Sequence, residues 1–304
     1  MQRWTVTDMP SQQGRSAIVT GAGGLGFEDA LALAGASGEV IIAGRNPEKG
    51  EQAVKRIRED IPAANVRFEL LDLGDLRSIA DFGSRLRAQR DSLDLLINNA
   101  GVMMPPQRRE TSDGFELQIG TNYIGHFALT GHLLPLLKKG NKPRVVSLSS
   151  LAARDGRIDF EDFQAKGRYK PMSAYSQSKL ACLMYAFEFE RRSLAQGWGI
   201  SSIAAHPGIS RTELLPNGAG RFSAAGLLRS LAWFLFQPAA QGALPTLYAA
   251  TSPLAEGGSY YGPNGWNELR GYPGLAAVPD RAKDGVVASR LWAFSEALTG
   301  VEYR

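Results

Sequence analysis

Cysteine is almost absent: Cys182 stands alone in 304 residues, so no disulfide can form within the chain. Histidine is nearly as scarce, and His126, His132 and His206 show no metal-ligand spacing. His126 and His132 fall in one helical stretch but six residues apart, which puts them on different faces, so no metal is expected. No Gly-x-Ser-x-Gly turn occurs, which leaves a hydrolase without its nucleophile. No apolar run approaches the roughly eighteen residues that cross a bilayer. The opening stretch Met1–Pro10 also lacks an apolar core, so a secretory signal is not expected and a cytoplasmic location is. A strong excess of one charge sign is missing too. Lys and Arg total 34 against 30 Asp and Glu, a net charge of +4. The basic residues are scattered, as in Arg85/Arg87/Arg90 and Lys138/Lys139, and read as solvated helix faces rather than a nucleic-acid surface.

Short β-prone runs alternate with helical patterns. The strands expected are Ala17–Thr20, Val40–Ala43, Val66–Leu71, Leu93–Asn98, Arg144–Leu148 and Ile200–Ala205, several of them continuous apolar runs of the kind buried on both faces. Between them the patterning predicts helices over Leu25–Ala34, Glu48–Asp60, Leu76–Gln89, Phe115–Leu137 and Ala174–Gln196. Asn46-Pro47 has the form of a helix start, with Asn as cap and Pro at the first position. Further on, Ala239–Ala250 reads as a helix, Gly258–Gly262 as a last edge strand and residues 281–298 as a closing helix. Such alternation means an α/β fold, a doubly wound parallel sheet with helices on both faces. With no repeat and no Ser- or charge-rich linker, residues 1–304 are expected to form a single domain.

The first strand runs into Thr20-Gly21-Ala22-Gly23-Gly24-Leu25-Gly26. Gly21, Gly23 and Gly26 satisfy G-x-G-x-x-G after a strand and at a helix start, where small residues let backbone N–H groups approach a pyrophosphate. The bland alternative is a Gly-rich turn with no ligand. At the end of the second strand an acidic residue would receive a ribose 2′-hydroxyl and signal NAD. Arg45 stands there instead, and its guanidinium suits a 2′-phosphate, so NADP(H) is the cofactor expected and NAD the less favoured one. Asp72 is placed either to accept from an adenine amino group or simply to cap the next helix.

Tyr175 and Lys179 lie four apart on one helical face. A phenol with a reference pKa of about 10 ionises poorly at neutral pH, and an ammonium beside it favours the phenolate. Such a pair makes a tyrosine a usable general acid/base. As a bare pattern Tyr-x-x-x-Lys also arises by chance.

Thr20–Gly26, Asp72, Asn98-Asn-Ala-Gly101, Ser149-Ser150, Tyr175-x-x-x-Lys179 and Pro207-Gly208, in this order, resemble the short-chain dehydrogenases/reductases over residues 15–262. The chain is most similar to the branch of retinol dehydrogenases and protochlorophyllide reductases, through Asn122-Tyr-Ile-Gly-His-Phe127, Leu180-Ala181 after the Tyr/Lys pair, and the long Ser150-to-Tyr175 spacing. The resemblance implies that Tyr175 exchanges the substrate proton and that Lys179 holds the nicotinamide ribose and favours the phenolate. Ser150 would bond the reacting oxygen, and Asn122 would hold a water in a relay to Lys179. Gly21, Gly23, Gly24, Leu25 and Gly26 would cradle the phosphates. Leu73 beside Asp72, and Asn98, Ala100 and Gly101, would line the cofactor cleft, while Pro207, Gly208 and Thr212 would embrace the nicotinamide. One departure stands out. The family spaces its glycines T-G-x-x-x-G-x-G, and Thr20–Gly26 is one residue shorter. Arg154–Met172 is expected to form a loop at the site rim.

Residues 213–237 are apolar and Gly-punctuated, and they follow directly on Thr212. They are expected to form a substrate lid, with Leu231–Phe236 covering an apolar substrate, packing as core or touching a membrane surface. The function expected is reversible hydride transfer between NADP(H) and a small-molecule carbonyl or alcohol, and the resemblance also allows a homo-oligomer, since dimers and tetramers are common among such relatives. The alternatives are a non-catalytic NADP(H) sensor and a membrane-surface lipid oxidoreductase.

Overall fold

Short β-prone runs of four to six residues become strands: β1 (Ser16–Thr20), β2 (Glu39–Gly44), β3 (Val66–Leu70), β4 (Leu95–Asn98), β5 (Arg144–Leu148), β6 (Ser201–Ala205) and β7 (Tyr260–Pro263). The computed structural model describes residues 3–210 and 237–304. Helices α1 (Leu25–Gly35), α2 (Pro47–Asp60) and α3 (Leu76–Gln89) connect the first four strands. Then α4 opens as Leu117–Ile119, passes through a π-helical turn at Gly120–Ile124 and runs on as Gly125–Leu137. It is followed by α5 (Pro171–Gln196), α6 (Ala239–Thr251) and α7 (Gly285–Thr299).

The sheet order is β3-β2-β1-β4-β5-β6-β7, parallel throughout, with β8 (Pro273–Leu275) added antiparallel beyond β7. Gly258–Gly262 was expected to be the edge, and this is corrected: β8 covers that edge. Three residues, Pro-Gly-Leu, carry no alternation to read. The closing helix also starts later than expected, at Gly285. Asp280–Lys283 is a separate 3₁₀ turn, and the Asp284 carboxylate accepts the Val286 and Val287 N–H groups at the true helix start.

Because side chains alternate along a strand, each central strand feeds two cores. Ile18, Ile41, Leu96 and Val145 join the layer beneath α3, α4 and α5, while Val19, Ile42, Ile97 and Val146 join that of α1, α2 and α6. The chain end is pinned by aromatics: Trp292 and Tyr303 lie 4.5 Å apart, and Tyr303 packs 5.0 Å from Phe127 of α4. The strand order reverses between β1 and β4, and in such sheets the crevice at that switch point, outside the carboxyl ends of the strands, takes the ligand.

Helix starts follow cap chemistry. Asn46 Oδ1 accepts the Lys49 N–H at 2.9 Å with Pro47 at the first position. Asp75, not Asp72, caps α3, its carboxylate accepting from Arg77 N (2.9 Å) and Ser78 N (3.2 Å). Asp75→Ala is expected to lower unfolding free energy by about 1 kcal/mol, measured by urea denaturation. A loss below a few tenths would mean water replaces the cap without cost.

Candidate active site

The Gly-rich turn leaves β1 at Thr20 and reaches α1 with one residue fewer than the family pattern. Gly21 and Gly24 absorb this, with φ of +94° and +53°. Gly26, in the first turn of α1, packs on the incoming strand: a Cβ there would lie 2.2 Å from Gly21 O and 2.5 Å from Asn99 Nδ2. No side chain caps α1, so its first N–H groups remain directed at the cleft. That is the arrangement an anionic group requires.

The cleft is a cavity of about 300 Å³ across the carboxyl ends of β1, β2 and β4. Gly21, Gly23, Gly24 and Leu25 form its floor, and Arg45, Asn46 and Lys49 stand at one end. Leu71, Asp72 and Leu73 flank that end, and Ala100 and Gly101 form a wall. Tyr175, Lys179 and Pro207 stand at the other end with Ser149. Most of the expected cofactor and reacting residues therefore meet in one place. Gly26, Asn98, Asn122, Ser150 and Gly208 do not line it, and Thr212 lies outside the described residues. Gly26 and Asn98 lie behind the wall, with Asn98 Nδ2 donating to Thr130 Oγ1 at 3.1 Å. Asp72 Oδ1 accepts from Gly74 N at 2.8 Å, a local turn rather than a helix cap.

At the reacting end α5 begins at Pro171, earlier than expected, because Pro fits the first helical turn. Tyr175 and Lys179 are both buried, with Nζ 5.9 Å from the phenol ring centre. Lys179 Nζ donates to Leu148 O at 3.1 Å, which leaves two of its three protons for other acceptors. The two serines differ. Ser149 Oγ donates to Lys179 O at 2.8 Å and so fastens β5 to α5, whereas Ser150 Oγ accepts from Ala152 N at 3.2 Å and keeps its own proton to give. Arg154 falls within a 3₁₀ turn, Leu151–Asp155, and Met172 within α5, so the irregular rim between them is shorter than expected.

Asn122 sits in the π-helical turn. Its Oδ1 accepts from Val102 N (2.7 Å), and its Nδ2 donates to Val102 O (3.0 Å) and Ser178 Oγ (2.9 Å). Its carbonyl accepts from His126 Nδ1 (2.9 Å) and Cys182 Sγ (3.2 Å). A Cβ on Gly101 would stand 3.0 Å from Asn122 Oδ1 and 3.6 Å from Lys179 Nζ, so glycine keeps the gap between these polar groups open.

The sequence motifs assign His126 no site role. It is buried, and burial pushes its imidazole down to about 4, so the ring is neutral at pH 7. Nδ1 faces a carbonyl and must carry the proton. Nε2 therefore accepts from Thr20 Oγ1 at 2.9 Å. The same hydroxyl accepts from Asn99 N (2.9 Å) and Ala100 N (3.0 Å). One chain of bonds thus runs from the cleft wall through Thr20 and His126 to Asn122. The four-residue interval between Asn122 and His126 was the one available signal.

A doubly wound sheet whose switch-point cleft joins an uncapped helix start to a buried Tyr/Lys pair is the build of a nucleotide-cofactor oxidoreductase. The short chain dehydrogenase family matches residues 15–219. Human retinol dehydrogenase 13 is 40% identical over 95% of this chain and 86% of its own length. Polyprenol dehydrogenase of Danio rerio is 38% identical over 97% of this chain and 90% of its own. The crystal structure of an uncharacterized protein from Mycobacterium Paratuberculosis superposes with a TM-score of 0.83 at 40% identity, covering 100% of both chains. The chain belongs to the short-chain dehydrogenase family, oxidoreductases that use a nicotinamide cofactor.

Proposed function

We propose that this protein catalyses reversible, NADP(H)-dependent interconversion of a carbonyl and an alcohol on an apolar substrate, with Tyr175 as general acid/base. The observation that carries this reading is the run of one cleft from Arg45 to the Tyr175/Lys179 pair. The residues fit a phosphorylated dinucleotide: positive charge at the ribose end, uncapped N–H groups in the middle, a buried ammonium at the far end. When bound, the nicotinamide supplies or accepts hydride. Tyr175 gives its proton to the substrate oxygen during reduction and takes it back during oxidation. Lys179 holds the cofactor ribose and favours the phenolate, and Ser150 donates to the reacting oxygen. Asn122 orders the approach to Lys179.

Retinol and polyprenol, the substrates in the relatives' names, are apolar alcohols, which favours an apolar substrate here. The proposed lid, 213–237, lies outside the described residues except for Gln237, which is buried and bridged to Ser210. Its apolar sequence from Leu214 to Phe236 supports a water-excluding cover.

The reading is tested with purified protein, NADPH or NADH, and a homologous series of aliphatic and aryl aldehydes and ketones. NADPH should be consumed, with KM falling roughly threefold to fourfold for each further CH₂ that is fully buried, at about 0.8 kcal/mol each. A flat KM, or preference for small polar sugars, overturns the apolar substrate. No turnover with either cofactor overturns the catalytic reading.

A further inference from the structure

Beyond the residues that face the cleft, a partly buried acidic group, Glu268, stands behind its reacting end. Strand β6 leaves through His206-Pro207-Gly208, and Pro207 lines the cavity beside Tyr175 and Lys179. His206 is fully buried. Its ring centre lies 5.1 Å from that of Tyr260, and a Cβ on Gly262 would strike it at 2.0 Å. Nδ1 accepts the Gly208 N–H at 3.2 Å, so the proton resides on Nε2, which donates to Glu268 Oε2 at 2.9 Å.

Glu268 belongs to the loop between β7 and β8, and it collects two more donors. Its Oε1 accepts from Ala277 N at 2.8 Å, and its Oε2 pairs with the Arg154 guanidinium at 2.8 Å. Burial alone would push this carboxyl up, but His206, Ala277 and Arg154 together hold it below the usual carboxylate range.

The loop's backbone is strained in order to reach this position. Asn267 and Glu268 hold φ of +48° and +59° in succession, the left-handed region that side chains disfavour. Such strain persists only where surrounding contacts over-determine it. The hairpin does not demand it, because β7 and β8 are already joined at Tyr261–Leu275, Gly262–Gly274 and Pro263–Pro273. What the strained loop meets is the Pro207 turn. A Cβ on Gly208, itself at φ +62°, would lie 2.4 Å from Leu269 O and 2.8 Å from Glu268 O, and Ile209 N donates to Leu269 O at 2.8 Å.

We propose that Glu268 is a positioning residue for the reaction, clamping the His206–Gly208 turn over the nicotinamide end of the cleft and linking it through Arg154 to the segment that begins at Ser150. This rests on the cofactor reading above. Because the clamp acts at one end only, it should alter binding of the whole cofactor and not of its adenosine half. A role confined to general stability would not divide the two.

The test is calorimetric titration of wild type and Glu268→Ala with two probes, NADP⁺ and adenosine 2′,5′-bisphosphate. NADP⁺ affinity should fall roughly 5–20-fold in the variant while bisphosphate affinity stays within about twofold. Should Glu268→Ala not fold, Glu268→Gln keeps the volume but turns an NH₂ group toward one of the three donors, and should show the same division at smaller size. Arg154→Ala should weaken NADP⁺ less than Glu268→Ala does, and the double variant should be no weaker than Glu268→Ala alone, since Arg154 acts through that carboxylate. Equal loss for both probes, no loss for either, or additive effects of the two substitutions would overturn the clamp. Wild type that binds neither probe overturns the cofactor reading itself.

Discussion

Tyr175→Phe should lower kcat by about 10²–10⁴-fold, the contribution typical of a positioned acid/base, while NADPH still binds with near wild-type affinity. The substitution removes one oxygen and leaves the ring. The Tyr175 hydroxyl is hydrogen-bonded to no described residue, so its loss strands no protein donor or acceptor and the fold should be unmoved. Lys179 keeps its anchor on Leu148 O, and Ser149 keeps its hold on Lys179 O, so the reacting end stays assembled without its proton source. Single-turnover rates, NADPH titration and thermal unfolding together check this. Retention of more than about a tenth of kcat would remove Tyr175 from the chemistry, since that falls outside the range for a lost acid/base. A parallel loss of NADPH binding would show that the substitution disturbed the cleft instead.

The parts of this molecule that were legible in sequence are those with dense local signals. Continuous apolar runs such as Ala17–Val19 and Val145–Val146 can be satisfied only by burial on both faces, which fixes strands and, with intervening helical patterns, a parallel sheet. The glycines after β1 and the Tyr175/Lys179 interval were legible for the same reason, because each motif lies within a few residues of chain. What stayed hidden depends on distant pairs. Strand β8 exists because it completes β7, and its three residues carry no pattern of their own. The π-helical turn interrupts what reads as one helix over Phe115–Leu137, since residue types do not separate i+4 from i+5 bonding. The roles of His126 and Glu268 arise from partners 106 and 62 residues away, Thr20 and His206, which no local window contains. Asp72 and Asp75 show the limit at close range: both precede α3, and only the backbone decides that Asp75 takes the cap while Asp72 closes a turn beside the cleft.

Arg45→Asp should shift relative preference from NADPH toward NADH by about two decades, the equivalent of a few kcal/mol for a lost charge-assisted bond plus added repulsion. Arg45 follows β2 directly, lines one end of the cavity and is exposed, and among the described residues no acidic side chain pairs with it. Its replacement therefore breaks no ion pair among the described residues, and unfolding midpoints should not move. The aspartate would stand where it can accept from the 2′- and 3′-hydroxyls of an unphosphorylated ribose, so NADH affinity should hold or rise while NADPH affinity falls. Solvent at this open end screens both the attraction and the new repulsion, so the shift should shrink as salt is raised. Titrating wild type and variant with both cofactors at low and high ionic strength separates the contributions. A preference that does not change would place the 2′-phosphate on another group, for which Lys49 at the same end of the cavity is the first candidate to replace. A loss of both cofactors alike would mean that Arg45 holds a feature they share rather than the phosphate that distinguishes them.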